Sequence, residues 1–142
     1  MQEIHSKNPD FKEYVRSKID LNKFMHYIDF KITDIEVGRI KGYLDFKEIH
    51  HQQNGILHGG VTSSLCDMAG GFAAYSVVAP DEMVFTVEIK VTYFHPGQSE
   101  RFYVTGEVVK AGKQFCFCES VVRNTEQKII AKSTMTMAVR KK

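Results

Sequence analysis

Gly59-Gly60-Val61-Thr62-Ser63-Ser64-Leu65-Cys66-Asp67-Met68-Ala69-Gly70-Gly71-Phe72-Ala73-Ala74-Tyr75-Ser76-Val77-Val78-Ala79 is the stretch on which the fold turns. Nearly every residue in it is small or apolar, and Asp67 is its one charge. A helix apolar on almost all sides is a buried helix. The run reads as one, ended by Pro80 and Asp81. Gly70 and Gly71 each cost about 1 kcal/mol of helix stability relative to alanine, so another backbone is expected to approach there. The hydroxyls and Asp67 make the run too polar for a bilayer, so no membrane partner is expected.

Downstream lie four stretches rich in β-branched and aromatic residues: Val84 to His95, Arg101 to Val109, Gln114 to Arg123 and Lys128 to Val139. Pro96-Gly97, Ala111-Gly112 and Asn124-Thr125-Glu126 break them, and connections this short predict that consecutive strands are antiparallel neighbours. In the first stretch Phe85, Val87, Ile89, Val91 and Tyr93 alternate with Thr86, Glu88, Lys90 and Thr92, which gives it one apolar face. Upstream, Phe24 to Phe46 shows period two, broken near Gly38, and reads as two strands joined by a turn. Before that, Phe11, Tyr14, Val15 and Lys18 are spaced for a short amphipathic helix over Pro9 to Lys18, with Asn8 available to start it. One long apolar helix and five or six long antiparallel strands have one economical packing. The prediction is an α+β chain of the hotdog fold, a curled antiparallel sheet wrapped around one long central helix, with a short N-terminal helix.

The chain has 142 residues, enough for one compact core, and a single domain over 1–142 is expected. Charged residues make up 25% and the net charge is +2, with lysines and arginines scattered among acids. Without a basic stripe to neutralise phosphates, nucleic acid is not an expected partner. Cys66, Cys116 and Cys118 are an odd count with no disulfide spacing, so reduced thiols are expected. Met1 to Asp10 is polar and shows no secretory pattern, from which a cytoplasmic location is expected.

The chemistry is expected around Gln52-Gln53-Asn54-Gly55-Ile56-Leu57-His58-Gly59-Gly60 and the helix that follows. Two glycines at a helix start expose backbone N–H groups at the positive end of the helix dipole, where a developing oxyanion can be held. Asp67 comes eight residues after Gly59, about 12 Å along the axis and roughly 80° around it, so one chain cannot bring the two together. Two copies with their long helices antiparallel about a two-fold axis could. That arrangement predicts a homodimer, or a dimer of dimers, with each site shared between subunits.

These residues resemble the phenylacetyl-CoA thioesterase-like branch of the hotdog thioesterase superfamily, over most of the chain from about Gln52 onward. The branch carries an amide residue, a glycine, His-Gly-Gly and a helix acid in this order; here they are Gln52, Gly55, His58, Gly59, Gly60 and Asp67. The resemblance implies hydrolysis of an acyl-CoA thioester with no cofactor. The Gly59 N–H would polarise the thioester carbonyl, and Asp67 of the facing subunit would activate water or attack. His58 and Gln52 would position the thioester and the departing thiolate, Gly60 and Asn54 would contact substrate, and Thr86 would hold the water. Many relatives have asparagine where this chain has Gln52.

Each of these residues also has a plainer reading. Ser63 or Ser64 could satisfy Asp67 as a buried acid, and His58 could make only a structural hydrogen bond. Cys66 points about 100° away from Asp67 around the helix, which favours packing over attack. His50, His51 and His58 lack the compact spacing of a metal site. Phe72, Tyr75, Phe85 and Phe94 serve equally as core or as an acyl pocket. The rival reading is a non-catalytic hotdog module that binds acyl-CoA as a sensor or carrier.

Overall fold

The computed structural model describes residues 3–142; Met1 and Gln2, which begin the polar amino-terminal stretch, lie outside the described residues. Helices α1 (Phe11–Leu21) and α2 (Lys23–Ile28) precede strands β1 (Phe30–Glu36) and β2 (Arg39–Asp45). Helix α3 (Gly59–Tyr75) leads into β3 (Glu82–Tyr93), β4 (Arg101–Ala111), β5 (Phe115–Arg123) and β6 (Ile129–Lys141). All six strands form one antiparallel sheet in the order β1-β2-β4-β5-β6-β3, and α3 lies against it. This is the hotdog architecture expected from the sequence.

The close approach expected in α3 occurs at Gly70. A Cβ on Gly70 would meet Met135 Sδ at 2.4 Å, and one on Gly106 of β4 would meet the Ala69 carbonyl at 2.3 Å. Ser120 Oγ of β5 then donates to the Cys66 carbonyl at 2.8 Å. Around this contact Leu65, Ala69 and Ala73 of α3 are fully buried with Ile40, Leu44, Phe102, Val104 and Val122. Gly71, on the other side of the helix, has only Met137 near it, at 3.7 Å.

Four local expectations are corrected. Where Phe24 to Ile28 read as the start of a strand, the chain makes α2. Asn22 Oδ1 accepts the Met25 N–H at 2.9 Å, Met25 and Ile28 are buried three residues apart, and Asp29 ends the helix at φ 63°. The first helix runs Phe11–Leu21 rather than from Pro9, because Asn8 Oδ1 takes the Asp10 N–H at 2.9 Å in a turn ahead of it. Helix α3 stops at Tyr75, short of Pro80. Ser76 Oγ donates to the Ala73 carbonyl at 2.6 Å and accepts the Gly38 N–H at 2.7 Å, which ties that end to the β1–β2 turn.

The fourth correction bears on function. β3 and β4 are not neighbours. After Tyr93 the chain leaves β6, where the Phe94 N–H reaches the Ile130 carbonyl at 2.8 Å, and crosses the amino end of α3, where Gly97 accepts the Leu57 N–H at 2.9 Å. The crossing puts β3 at the sheet edge, paired on one side with β6 alone. A register shift between Thr86 and Glu88 also breaks the alternation expected along β3, so Thr86 shares with Ile89 and Tyr93 the side that meets α3 while Phe85 turns to the opposite side. On this edge strand Phe85 is 53%, Val87 60% and Tyr93 50% exposed.

Candidate active site

The loop before α3 is held by a buried histidine. His50 is 0% exposed; its Nδ1 accepts the Lys47 N–H at 2.9 Å and its Nε2 lies 2.7 Å from the Ile28 carbonyl. With Nδ1 accepting, the neutral ring carries its proton on Nε2 and donates it to Ile28. The His50 carbonyl then takes the His58 N–H at 2.8 Å. Between them the chain turns through Gly55 at φ 75°, a left-handed conformation that glycine adopts without a Cβ penalty. Gln52 spans this turn: its N–H reaches the Ile56 carbonyl at 2.8 Å, and its side-chain Oε1 accepts the Asn54 N–H.

His58 is the N-cap of α3, and its Nδ1 accepts the Gly60 N–H at 2.8 Å. The His58 carbonyl takes the Val61 and Thr62 N–H groups at 3.0 and 3.2 Å. That leaves the Gly59 N–H without an acceptor among the described residues. A helix start thus presents one unused donor at its positive end. The Gly59 carbonyl accepts the Tyr93 hydroxyl at 2.7 Å. Sequence alternation treated Tyr93 only as part of an apolar strand face and gave no signal for this contact.

Asp67 lies two turns down α3 and is partly exposed. Its Oδ1 accepts the Thr86 hydroxyl, on β3, at 2.6 Å. Ser63 and Ser64 do not satisfy it, because both hydroxyls donate to the Gly60 carbonyl, at 3.0 and 2.7 Å. Cys66 beside it is 0% exposed, and burial pushes its thiol up to about 11, so it is no thiolate near neutral pH.

A cavity of about 350 Å³ opens at Gly59 and is also lined by Gln52, Thr62, Tyr93, Phe94 and Ile130. The chain thus brings Gln52 and Gly59 to one cavity, while Asn54 is exposed outside its lining. Asp67 and Thr86 form a separate pair that does not line it. A larger cavity of about 500 Å³ lies between α1, α2 and β1, beside Arg16, Met25, Asp29 and Lys31, and none of the sequence-predicted site residues reaches it. Among the described residues, no cluster of three or more His, Cys, Asp or Glu side chains is placed to hold a metal, and no helix is long and apolar enough to cross a membrane.

Residues 54–131 match the family described as the thioesterase superfamily. The chain is 32% identical over 115 residues to a 1,4-dihydroxy-2-naphthoyl-CoA hydrolase of Listeria monocytogenes, spanning 81% of this chain and 94% of that relative. It is 32% identical over 97 residues to the medium/long-chain acyl-CoA thioesterase YigI of Escherichia coli, spanning 59% of this chain and 63% of YigI. A thioesterase family protein from Silicibacter pomeroyi superposes with a TM-score of 0.90 at 28% identity, covering 93% of this chain and 99% of that one. The chain belongs to the thioesterase superfamily and is a hydrolase of the acyl-CoA thioesterase family.

Proposed function

We propose that this protein hydrolyses an acyl-CoA thioester to the free acid and coenzyme A at a site shared by two copies of the chain. The observation that carries the reading is the unused Gly59 N–H on one side and the Thr86-held Asp67 on the other. Within one chain they belong to different places; in an antiparallel pair they become complementary.

The uncovered edge of β3 supports this pairing. A twelve-residue edge strand with Phe85, Val87 and Tyr93 half exposed or more is an open template for another strand. If two β3 edges pair antiparallel about a centre near Ile89 and Lys90, Thr86 comes opposite the partner subunit's Tyr93. Asp67 rides on Thr86 and Gly59 on Tyr93, so that register brings acid and donor together twice per dimer. The face of α3 that this chain leaves uncovered carries Gly60, Ser64, Asp67, Gly71 and Tyr75, mostly small residues that a second helix can approach closely. Further pairing into a dimer of dimers is compatible with this arrangement.

In this site the thioester oxygen lies on the Gly59 N–H, and charge that develops there meets a preorganised dipole. Asp67 takes a proton from water or attacks the acyl carbon itself. In both courses the carbon–sulfur bond breaks, water supplies the new oxygen, and its proton ends on the departing thiol. His58, whose Nδ1 is taken by Gly60, has its Nε2–H left to donate towards the sulfur. Gln52 borders the substrate in the cavity; Gly60, whose N–H is taken by His58, and Asn54 are both exposed and outside its lining and contribute least.

The test is thiol release from a panel of acyl-CoAs by wild type and Asp67→Asn. Wild type should release thiol and Asp67→Asn should fold while losing about 10²–10⁴-fold in rate. Near-normal turnover by Asp67→Asn removes Asp67 from the mechanism. Ligand retention without thiol release by wild type would favour the binding-module reading instead.

A further inference from the structure

Two glycines in succession at a helix start have more backbone freedom than any other pair, yet an oxyanion donor works only if it points one way. Three contacts restrain this pair. The Tyr93 hydroxyl donates to the Gly59 carbonyl at 2.7 Å. The N–H of that same peptide group, belonging to Gly60, donates to His58 Nδ1 at 2.8 Å. A Cβ built on Gly59 would sit 3.6 Å from three atoms of the Tyr93 side chain, so the phenol covers one face of the residue at van der Waals distance.

Resting on the reading of Gly59 as the oxyanion donor, we propose that Tyr93 is a positioning residue of the active site. Through the Gly59–Gly60 peptide its hydroxyl aims the Gly59 N–H into the cavity and holds His58 with its proton on Nε2. The contacts form one chain, from phenol to carbonyl, through the peptide, to the imidazole. A donor at the carbonyl polarises the peptide and strengthens the N–H bond at its other end. Fixing both ends of this peptide fixes the rotation of Gly59, and with it the direction of the N–H before it. Because Nδ1 accepts from Gly60, the neutral imidazole can only donate to substrate.

The ring packs and the hydroxyl positions, so Tyr93→Phe separates the two. On full-length protein, kcat should fall about tenfold or more while KM stays within about twofold and the melting temperature barely moves. In ¹⁵N NMR the Gly60 amide proton should move upfield and the His58 ring nitrogens should shift. An unchanged kcat overturns the proposal, whether or not the resonances move. Wild type supplies a second test that needs no variant to fold: its His58 should show the Nε2–H tautomer at a pH where the ring is neutral, and the Nδ1–H tautomer would overturn the proposal. If wild type releases no thiol from any acyl-CoA, the hydrolytic reading fails, while the NMR measurements still decide whether Tyr93 is linked to His58.

Discussion

The Thr86 hydroxyl donates to Asp67 Oδ1 across 2.6 Å, joining the edge strand β3 to the one charged residue of α3. The bond leaves the other carboxylate oxygen available and turns the acid towards the open edge of the sheet. A hydrogen bond to a charged group contributes about 1.5–3 kcal/mol. Thr86→Val, which keeps the shape and removes the donor, should therefore lower kcat/KM by about 10–100-fold, and Thr86→Ser should recover most of it. Equal rates for the threonine and valine enzymes would leave Thr86 a packing residue.

Gly59 offers a way to delete a backbone donor. It is the first residue of α3, a position where proline is tolerated because the N–H has no helical partner. His58 before it has φ −62° and ψ 132°, extended geometry that suits a residue preceding proline. Gly59→Pro should fold with little change in melting temperature and lose about 10²–10³-fold in kcat. Full activity would show that the oxyanion is held elsewhere.

Two other glycines should respond for different reasons, as read by urea unfolding. Gly106→Ala forces a Cβ against the Ala69 carbonyl 2.3 Å away, between two backbones that cannot yield easily, and should cost about 2–3 kcal/mol or more. Gly55→Ala meets nothing within 4 Å, but its φ of 75° imposes about 1–2 kcal/mol of backbone strain. Gly55→Asn should recover part of that loss, since asparagine visits this region more readily. No recovery would place the cost outside the backbone.

The cysteines should be silent until the protein opens. Burial raises Cys66 to about 11 and Cys118 to about 12 from an ordinary 9.0, and also raises Cys116. A folded-state value above the unfolded one means that the neutral thiols' contribution to stability is whole below pH 9. It is lost as pH rises through about 11 and then about 12, because only the unfolded chain ionises freely in that window. Ellman's reagent at pH 8 should label native protein far more slowly than protein in urea. Rapid labelling of folded protein would contradict the burial.

The architecture was legible because α3 is apolar on nearly every side and the strands carry clear period-two runs. The α2 helix was missed because Phe24 and Ile28 share the period-two phase of Phe30 and Ile32, which masked the out-of-phase Met25, and only the Asn22 cap and the turn at Asp29 mark the helix. The place of β3 was missed because Pro96-Gly97 resembles a hairpin break, while its actual course is set by contacts with Leu57 and Ile130 far along the chain. Of the proposed site, Gly59 and Asp67 stand out from residue order, and Gln52 and His58 from the family resemblance. Tyr93 does not, since its contact with this segment is a hydroxyl reaching a carbonyl thirty-four residues away.

Mixing two disabled chains tests the shared site most directly. Asp67→Asn and Gly59→Pro each remove one half of it, so each homodimer should be inactive. After unfolding and refolding together, the mixed dimers would carry one intact site each, and thiol release should return to about a quarter of the wild-type rate. A mixture no more active than its parents, with mixed dimers shown to have formed, would mean that acid and donor do not serve one site across the subunit boundary.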